Sequence, residues 1–248
     1  VPERRRAQRN VSSLRHVIDA GAPWPRRVKE AVIAAFPSAE IWELYGMSEG
    51  GATRVSSEEW LERPGTVGRP WPGVEIRIVD PDTGDPLPPG RDGLIYVKPA
   101  AGRFRYHNDD AKTAEAWHDD AFTVGDVGHL DDDGYLYLTD RRSDMVIRAG
   151  VNIYPREVEE VLHRHDAVVD CAVFGIPDDR DGERLTAVVE VRDGVGVEEL
   201  DAWCHGHLDA FKCPSVIDLT DRLPRDPNGK VLKRVLRDEA WAASGRSI

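Results

Sequence analysis

Three short segments combine residue types that act on phosphate esters. The first is Tyr45-Gly46-Met47-Ser48-Glu49. An aromatic ring offers a face for a base, a glycine admits close approach, and a hydroxyl and a carboxylate supply hard oxygens for a phosphate and its Mg²⁺. The second, Phe122-Thr123-Val124-Gly125-Asp126, ends on a carboxylate, which can accept two hydrogen bonds from a ribose diol. The third, Pro224-Arg225-Asp226-Pro227-Asn228-Gly229-Lys230-Val231, sets a lysine directly after a turn glycine and ahead of an amphipathic stretch, so backbone geometry holds the cation. Taken alone, each segment is equally an ordinary turn, and Lys230 is equally a solvated surface lysine.

The surrounding pattern says what positions them. Leu14 to Ile18 reads as a strand leading to Gly21-Ala22-Pro23. Pro25 then opens a helix whose apolar stripe is Val28, Ala31, Val32, Ala35 and Phe36, ended by Pro37. A buried strand at Ile41 to Tyr45 completes a β-α-β unit, so the first segment lies where a strand runs out into a loop, the end of an α/β sheet at which ligands bind. From about residue 63 to 139 the grammar is β-rich: Val74, Ile76 and Ile78 alternate with polar neighbours, Leu94 to Val97 returns, and Tyr135 to Leu138 is a further strand. This section predicts a small barrel or sheet of its own. Beyond it come a hairpin at Met145 to Ile153 and a helix with Pro155 in its first turn and Val158, Val161 and Leu162 inside. Strands at Val168 to Phe174 and Leu185 to Val191 and helices near Val197 to Leu208 and Val231 to Leu236 complete a compact α+β domain. The expected fold is therefore the end of a large α/β domain with a β-rich subdomain, residues 1–141, followed by a small α+β domain, residues 142–248.

Composition narrows the function classes. A formal net charge of −12 over 248 residues argues against nucleic acid, whose binding rests on a basic surface, and against an anionic membrane face. No apolar run reaches the length of a membrane span, and no signal-peptide pattern opens the chain. Cys171, Cys204 and Cys213 show no metal-ligand spacing and read as reduced thiols of a cytoplasmic protein.

In order along the chain, Tyr-Gly-Met-Ser-Glu at 45–49, Gly65 to Pro70, Val124-Gly125-Asp126, Asp140-Arg141-Arg142-Ser143-Asp144, Gly150-Val151-Asn152-Ile153-Tyr154-Pro155-Arg156-Glu157-Val158-Glu159 and Gly229-Lys230 resemble the motif set of the adenylate-forming superfamily. That superfamily comprises acyl-CoA synthetases, luciferases and peptide-synthetase adenylation domains. Gly175-Ile176-Pro177-Asp178 with Gly182-Glu183 is similar to its C-terminal domain, and Asn108-Asp109-Asp110 before Lys112-Thr113-Ala114 is most similar to medium- and long-chain fatty acid–CoA ligases.

The resemblance implies a ligase that joins a small-molecule carboxylic acid to ATP, releasing pyrophosphate, and passes the acyl group to coenzyme A, releasing AMP. It implies that Gly21, Ala22 and Pro23 wall the adenine and acyl site and that Tyr45 stacks on the base beside Gly46. It further implies Ser48 at a phosphate, Glu49 on Mg²⁺, Asp126 and Arg141 on the ribose, and Lys230 between the reacting carboxylate oxygen and the α-phosphate. Gly150 would border the pantetheine arm, and Ser143 would be the pivot of the small domain. Departures from the family pattern are Ser48 for Thr, Val124 for Thr, Asp140 for Gly and Ala149 for Gly. The family's Ser/Thr/Gly-rich phosphate loop has no counterpart in these residues, and the chain opens Val1-Pro2-Glu3 without Met, so the reading is of a C-terminal portion of the enzyme, inactive alone. Two other readings stay open: an adenylation domain that loads a carrier protein, and a non-catalytic nucleotide-binding module.

Overall fold

Apolar alternation and turn chemistry account for most of the elements in the computed structural model, which describes residues 10–22, 24–192 and 194–243. The chain divides into two compact units, residues 1–138 and 139–248.

In the first unit, β1 (His16–Ala20), α1 (Arg26–Ala35) and β2 (Glu40–Met47) form the expected crossover, with β1 and β2 parallel. Strand β1 starts two residues later than its hydropathy suggests, because Leu14 N–H donates to the Val11 carbonyl and closes a turn there. The predicted stripe on α1 is corrected: Val28 and Ala31 are exposed, and the fully buried residue of this helix is Lys29. Strand β2 turns straight back at Ser48-Glu49 into β3 (Gly50–Ser56), which the sequence reading missed. Ser56 caps α2 (Ser57–Glu62): its hydroxyl accepts from Glu59 N–H at 3.2 Å while the Glu59 carboxylate accepts from Ser56 N–H at 2.9 Å. Such reciprocal capping stabilises a helix start by about 1 kcal/mol.

The β-rich section is not a separate barrel. It comprises β4 (Thr66–Pro70), β5 (Glu75–Val79), β6 (Gly93–Lys98), α3 (Asp110–Ala116), β7 (Trp117–His118), β8 (Ala121–Phe122), β9 (Asp126–Leu130) and β10 (Leu136–Arg141). Its strands continue the ladder begun by β1 to β3, in the order β1-β2-β3-β4-β10-β9-β6-β8-β7, with β5 on β6. Ala52, Ile76, Ile78, Ile95, Val97, Phe122 and Leu136 form the core beneath it, and Tyr45, Met47 and Val124 pack on that core.

In the second unit, β11 (Val146–Arg148) and β12 (Val151–Ile153) form the expected hairpin. Ala149 and Gly150 turn it with φ of 48° and 81°, the positive values that a type I′ hairpin turn requires at both positions. Then follow α4 (Pro155–His163), the long antiparallel pair β13 (Val168–Asp178) and β14 (Gly182–Val191), and α5 (Val197–His207). An unforeseen β15 (Val216–Thr220) lies parallel to β14. The last helix, α6 (Lys233–Ala243), starts later and runs further than predicted, because Val231 bridges Arg225 and Leu232 N–H donates to the Pro224 carbonyl. Val158, Leu162, Val173, Leu185, Val189, Leu200 and Ile217 are the core of this unit. The expected mixed α/β and α+β architecture is thus observed.

Candidate active site

Tyr45, Gly46 and Met47 belong to β2 itself, and only Ser48 and Glu49 form the turn to β3. Gly46 is needed by the hairpin: a Cβ there would stand 3.0 Å from Gly51 Cα and 3.2 Å from the Gly50 carbonyl oxygen. Asp126 is the first residue of β9 and is 9% exposed. The sheet brings these distant segments together. Tyr45 OH donates to Asp126 Oδ2 at 2.7 Å across 81 residues of sequence, so the carboxylate fixes the ring beside it. Thr123 Oγ1 accepts from Gly125 N–H at 3.1 Å and shapes the approach to Asp126, while the unexpected Val124 packs on the core.

Glu49 has a partner that sequence reasoning did not single out. Tyr106 OH donates to Glu49 Oε1 at 2.7 Å, and Lys112 Nζ lies 4.5 Å from the centre of the Tyr106 ring. Burial, with the adjoining Glu49 carboxylate, pushes the Tyr106 phenol pKa up to about 12, so the hydroxyl stays protonated and donates to Glu49. Tyr106 precedes the Asn108-Asp109-Asp110 stretch, whose Asp109 caps α3 by accepting from Lys112 N–H at 2.9 Å. Among the described residues no three or more His, Cys, Asp or Glu side chains gather as a metal cluster. A lone carboxylate with one free oxygen beside a hydroxyl fits Mg²⁺, which keeps several waters and takes one or two carboxylates plus phosphate oxygens.

Gly21 adopts φ of 91° and Ala22 is exposed, while Pro23 lies outside the described residues. A second feature absent from the sequence reading lies below this segment. Lys29 of α1, 1% exposed, is paired with Glu43 of β2, and its ammonium lies 4.5 Å from the Trp60 ring centre and 5.7 Å from that of Trp24. The pair ties the crossover helix to the strand that carries Tyr45.

In the second unit, Arg141 closes β10 and is exposed. Asp140 in place of the family's Gly is engaged in local structure. Its Oδ2 accepts from Arg156 N–H at 2.9 Å at the start of α4, where Tyr154 provides no side-chain cap, and its Oδ1 accepts from Arg141 N–H at 2.8 Å. Burial raises its pKa, against the pull of the Arg156 amide and the Lys233 cation. Ser143 lies in a 3₁₀ turn, Arg142–Asp144, and its carbonyl accepts from Arg237 Nη1 of α6 at 3.0 Å. Nothing lies within 4 Å of a Cβ built on Gly150, so its role in the hairpin is conformational. Lys230 is exposed at the tip of a tight loop whose Asp226 carboxylate accepts from Lys230 N–H at 2.9 Å and Asn228 N–H at 2.8 Å. The three cysteines are buried thiols, and burial raises the pKa of each.

The chain matches two family models, the AMP-binding enzyme over residues 2–102 and the AMP-binding enzyme C-terminal domain over residues 157–230. It is 34% identical to a fatty acid–[acyl-carrier-protein] ligase of Streptomyces coeruleorubidus, over 97% of this chain and 47% of that protein. It is also 34% identical to a long-chain-fatty-acid–CoA ligase of Bacillus subtilis, over 93% of this chain and 41% of the relative. Among solved structures, the o-succinylbenzoate CoA synthetase of Bacillus subtilis with its acyl-adenylate intermediate superimposes with a TM-score of 0.82 at 33% identity, covering 93% of this chain and 47% of that one. The chain therefore spans somewhat under half the length of the relatives it matches. Both family-model matches and these relatives show that the chain belongs to the AMP-binding enzyme family.

Proposed function

We propose that the protein activates a fatty, aromatic or polycyclic carboxylic acid with ATP and transfers the acyl group to coenzyme A. In the first half-reaction a carboxylate oxygen attacks the α-phosphorus and pyrophosphate leaves. In the second, the CoA thiolate attacks the acyl carbon and AMP leaves. The observation that carries the reading is the Tyr45–Asp126 bond: an aromatic ring able to stack on adenine and a carboxylate able to accept from the ribose diol are fixed to each other at the end of β2 and the start of β9. A cytoplasmic location goes with these co-substrates.

In this reading Tyr45 stacks on the base, Gly21, Ala22 and Pro23 border the nucleotide and acyl group, and Asp126 and Arg141 hold the ribose hydroxyls. Ser48 donates to a phosphate oxygen, and Glu49 would hold Mg²⁺, which would neutralise phosphate charge when bound. Lys230 sets its ammonium between the carboxylate and α-phosphate oxygens, where negative charge concentrates as two anions meet. A preorganised cation there lowers the barrier without reorganising water. Gly150 borders the thiol's path, and the backbone at Ser143 absorbs the dihedral change between half-reactions.

The identity to an acyl-carrier-protein ligase supports one alternative, in which the acceptor thiol is a carrier protein's phosphopantetheine. The test is ATP–pyrophosphate exchange over a panel of carboxylic acids, followed by thioester formation with CoA or a phosphopantetheinylated carrier. In the protein as its host makes it, we expect acid-dependent exchange, thioester with CoA, and a fall of about 10²–10³-fold in exchange for Lys230→Ala. Transfer to the carrier alone would select the alternative. Nucleotide binding without exchange for any acid would refute both.

A further inference from the structure

The loop that carries Lys230 has an internal brace and an external anchor. Internally, besides the two amides held by the Asp226 carboxylate, Asp226 N–H donates to the Lys230 carbonyl at 2.9 Å and Gly229 N–H to the Asp226 carbonyl at 3.0 Å. These bonds define the loop's shape and leave its place on the domain undetermined. The anchor is Arg225. Its Nη1 donates to the Gly229 carbonyl at 3.1 Å, one residue before Lys230. Its Nη2 reaches Asp170 Oδ2 of β13 at 2.8 Å and Glu190 Oε2 of β14 at 3.3 Å.

The two acids explain why an arginine stands here. Asp170 and Glu190 are direct cross-strand partners. Like charges placed opposite each other destabilise a sheet, so this pair calls for a cation over both. The remaining acceptor capacity is also used: Asp170 Oδ1 takes the Cys171 amide at 2.9 Å and faces His163 Nε2 at 3.0 Å, and Glu190 Oε2 takes Leu223 N–H at 3.0 Å. A planar guanidinium fork can serve the two carboxylates and a carbonyl together, whereas an ammonium is a single point charge that cannot span them.

We propose that Arg225 is a positioning residue for Lys230: it bolts the lysine loop to the β13–β14 sheet so that the ammonium is presented from a rigid base. The inference rests on the reading of Lys230 as the adenylation lysine. Residues 227–230 are exposed, and beyond the bridge from Arg225 to Val231 and the Leu232–Pro224 bond that close the stem of the loop, they are held by this clamp and the Asp226 brace. The sheet does not need the clamp for its register, since β13 and β14 pair along almost their whole length. Releasing Arg225 therefore frees the loop and leaves the sheet. A displacement of about 1 Å at a catalytic group costs on the order of 10²-fold in rate.

The experiment compares Arg225→Lys, Lys230→Ala and the double variant in the protein as its host makes it. It measures pyrophosphate exchange at saturating ATP and acid, thioester formation from supplied acyl-adenylate, and amide hydrogen exchange. For Arg225→Lys, kcat of adenylation should fall roughly 10- to 100-fold with the KM for ATP little changed. Supplied acyl-adenylate should still be converted. The Gly229 and Lys230 amides should exchange faster while β13 and β14 keep their protection. The double variant should be no slower than Lys230→Ala, because the place of a missing ammonium has no consequence. An Arg225→Lys enzyme with normal adenylation beside an impaired Lys230→Ala enzyme overturns the proposal, as does an additive loss in the double variant. If Lys230→Ala itself keeps full exchange, the assignment of Lys230 fails, and amide exchange at 229–230 alone then decides whether Arg225 is the anchor.

Discussion

The buried pair Lys29–Glu43 permits a test of what holds the strand under the candidate site. Lys29 is 1% exposed and Glu43 9%, and the ammonium also faces the Trp60 and Trp24 rings. Burial lowers the Lys29 pKa, and Glu43, with Asp19 further off, pulls it back up. Removing one member of such a pair strands the other charge away from water, a loss of about 3–5 kcal/mol, whereas replacing both by apolar residues of similar volume is near neutral or stabilising. Lys29→Met keeps the length of the side chain and lays a thioether on the indoles, yet removes the cation paired with the buried Glu43 carboxylate. Losing the cation from this buried pair should destabilise the variant by about 3–5 kcal/mol and lower its Tm by roughly 10 °C for a chain of this size. Lys29→Met/Glu43→Leu should recover to within about 1 kcal/mol of the parent. Urea denaturation followed by tryptophan fluorescence reads both, since Trp24 and Trp60 border the pair, and an unchanged m value would confirm that the native state is what changed. A single variant costing less than about 1 kcal/mol, or a double variant as unstable as the single, would refute a desolvated ion pair here.

Three further expectations follow from the remaining geometry. Tyr106→Phe removes the donor that orients Glu49 and should weaken Mn²⁺–ATP binding by about 10-fold or more, read by electron paramagnetic resonance; unchanged affinity removes Tyr106 from that role. Asp170 is held below the usual carboxylate value of 3.8 even though burial alone would raise it, because His163 and Arg225 bond to it. A depressed folded-state pKa contributes stability that is present above the unfolded value and lost as pH falls through the folded one. Asp170→Asn should therefore be less stable than the parent at neutral pH and show a flatter acid limb below about pH 4; parallel acid limbs in the two proteins would contradict this. Ser143→Pro fixes one φ and restricts Arg142 before it, so single-turnover assays should show adenylation kept and thioester formation largely lost. Equal loss in both half-reactions, or in neither, takes Ser143 out of the pivot role.

What was legible in the sequence follows the reach of the interaction involved. The β1-α1-β2 crossover and the β11–β12 hairpin were readable because periodicity and turn residues act within a few positions of each other. The buried face of α1 was not: Lys29 reads as a solvated residue, and its burial depends on Glu43 and Trp60, which lie on other elements. Tyr45, Glu49, Asp126 and Lys230 stood out by type and local spacing. The groups that orient them did not, because Tyr106 meets Glu49 across 57 residues and Arg225 meets Asp170 across 55.

The Arg225 clamp shows why such partners escape a one-dimensional reading. Val168 stands opposite Val191, yet Asp170 stands opposite Glu190, so the β13–β14 register shifts by one residue between them. Without that bulge Asp170 would face Val189, and Glu190 would stand opposite Val169 with its side chain on the other face of the sheet. Only a clean alternation would betray a one-residue shift, and β13 offers none there, because Cys171 to Gly175 are buried in succession. The two carboxylates that Arg225 spans are brought into line by this irregularity, so the place of Lys230 depends on a local departure from the pattern that made the strands recognisable.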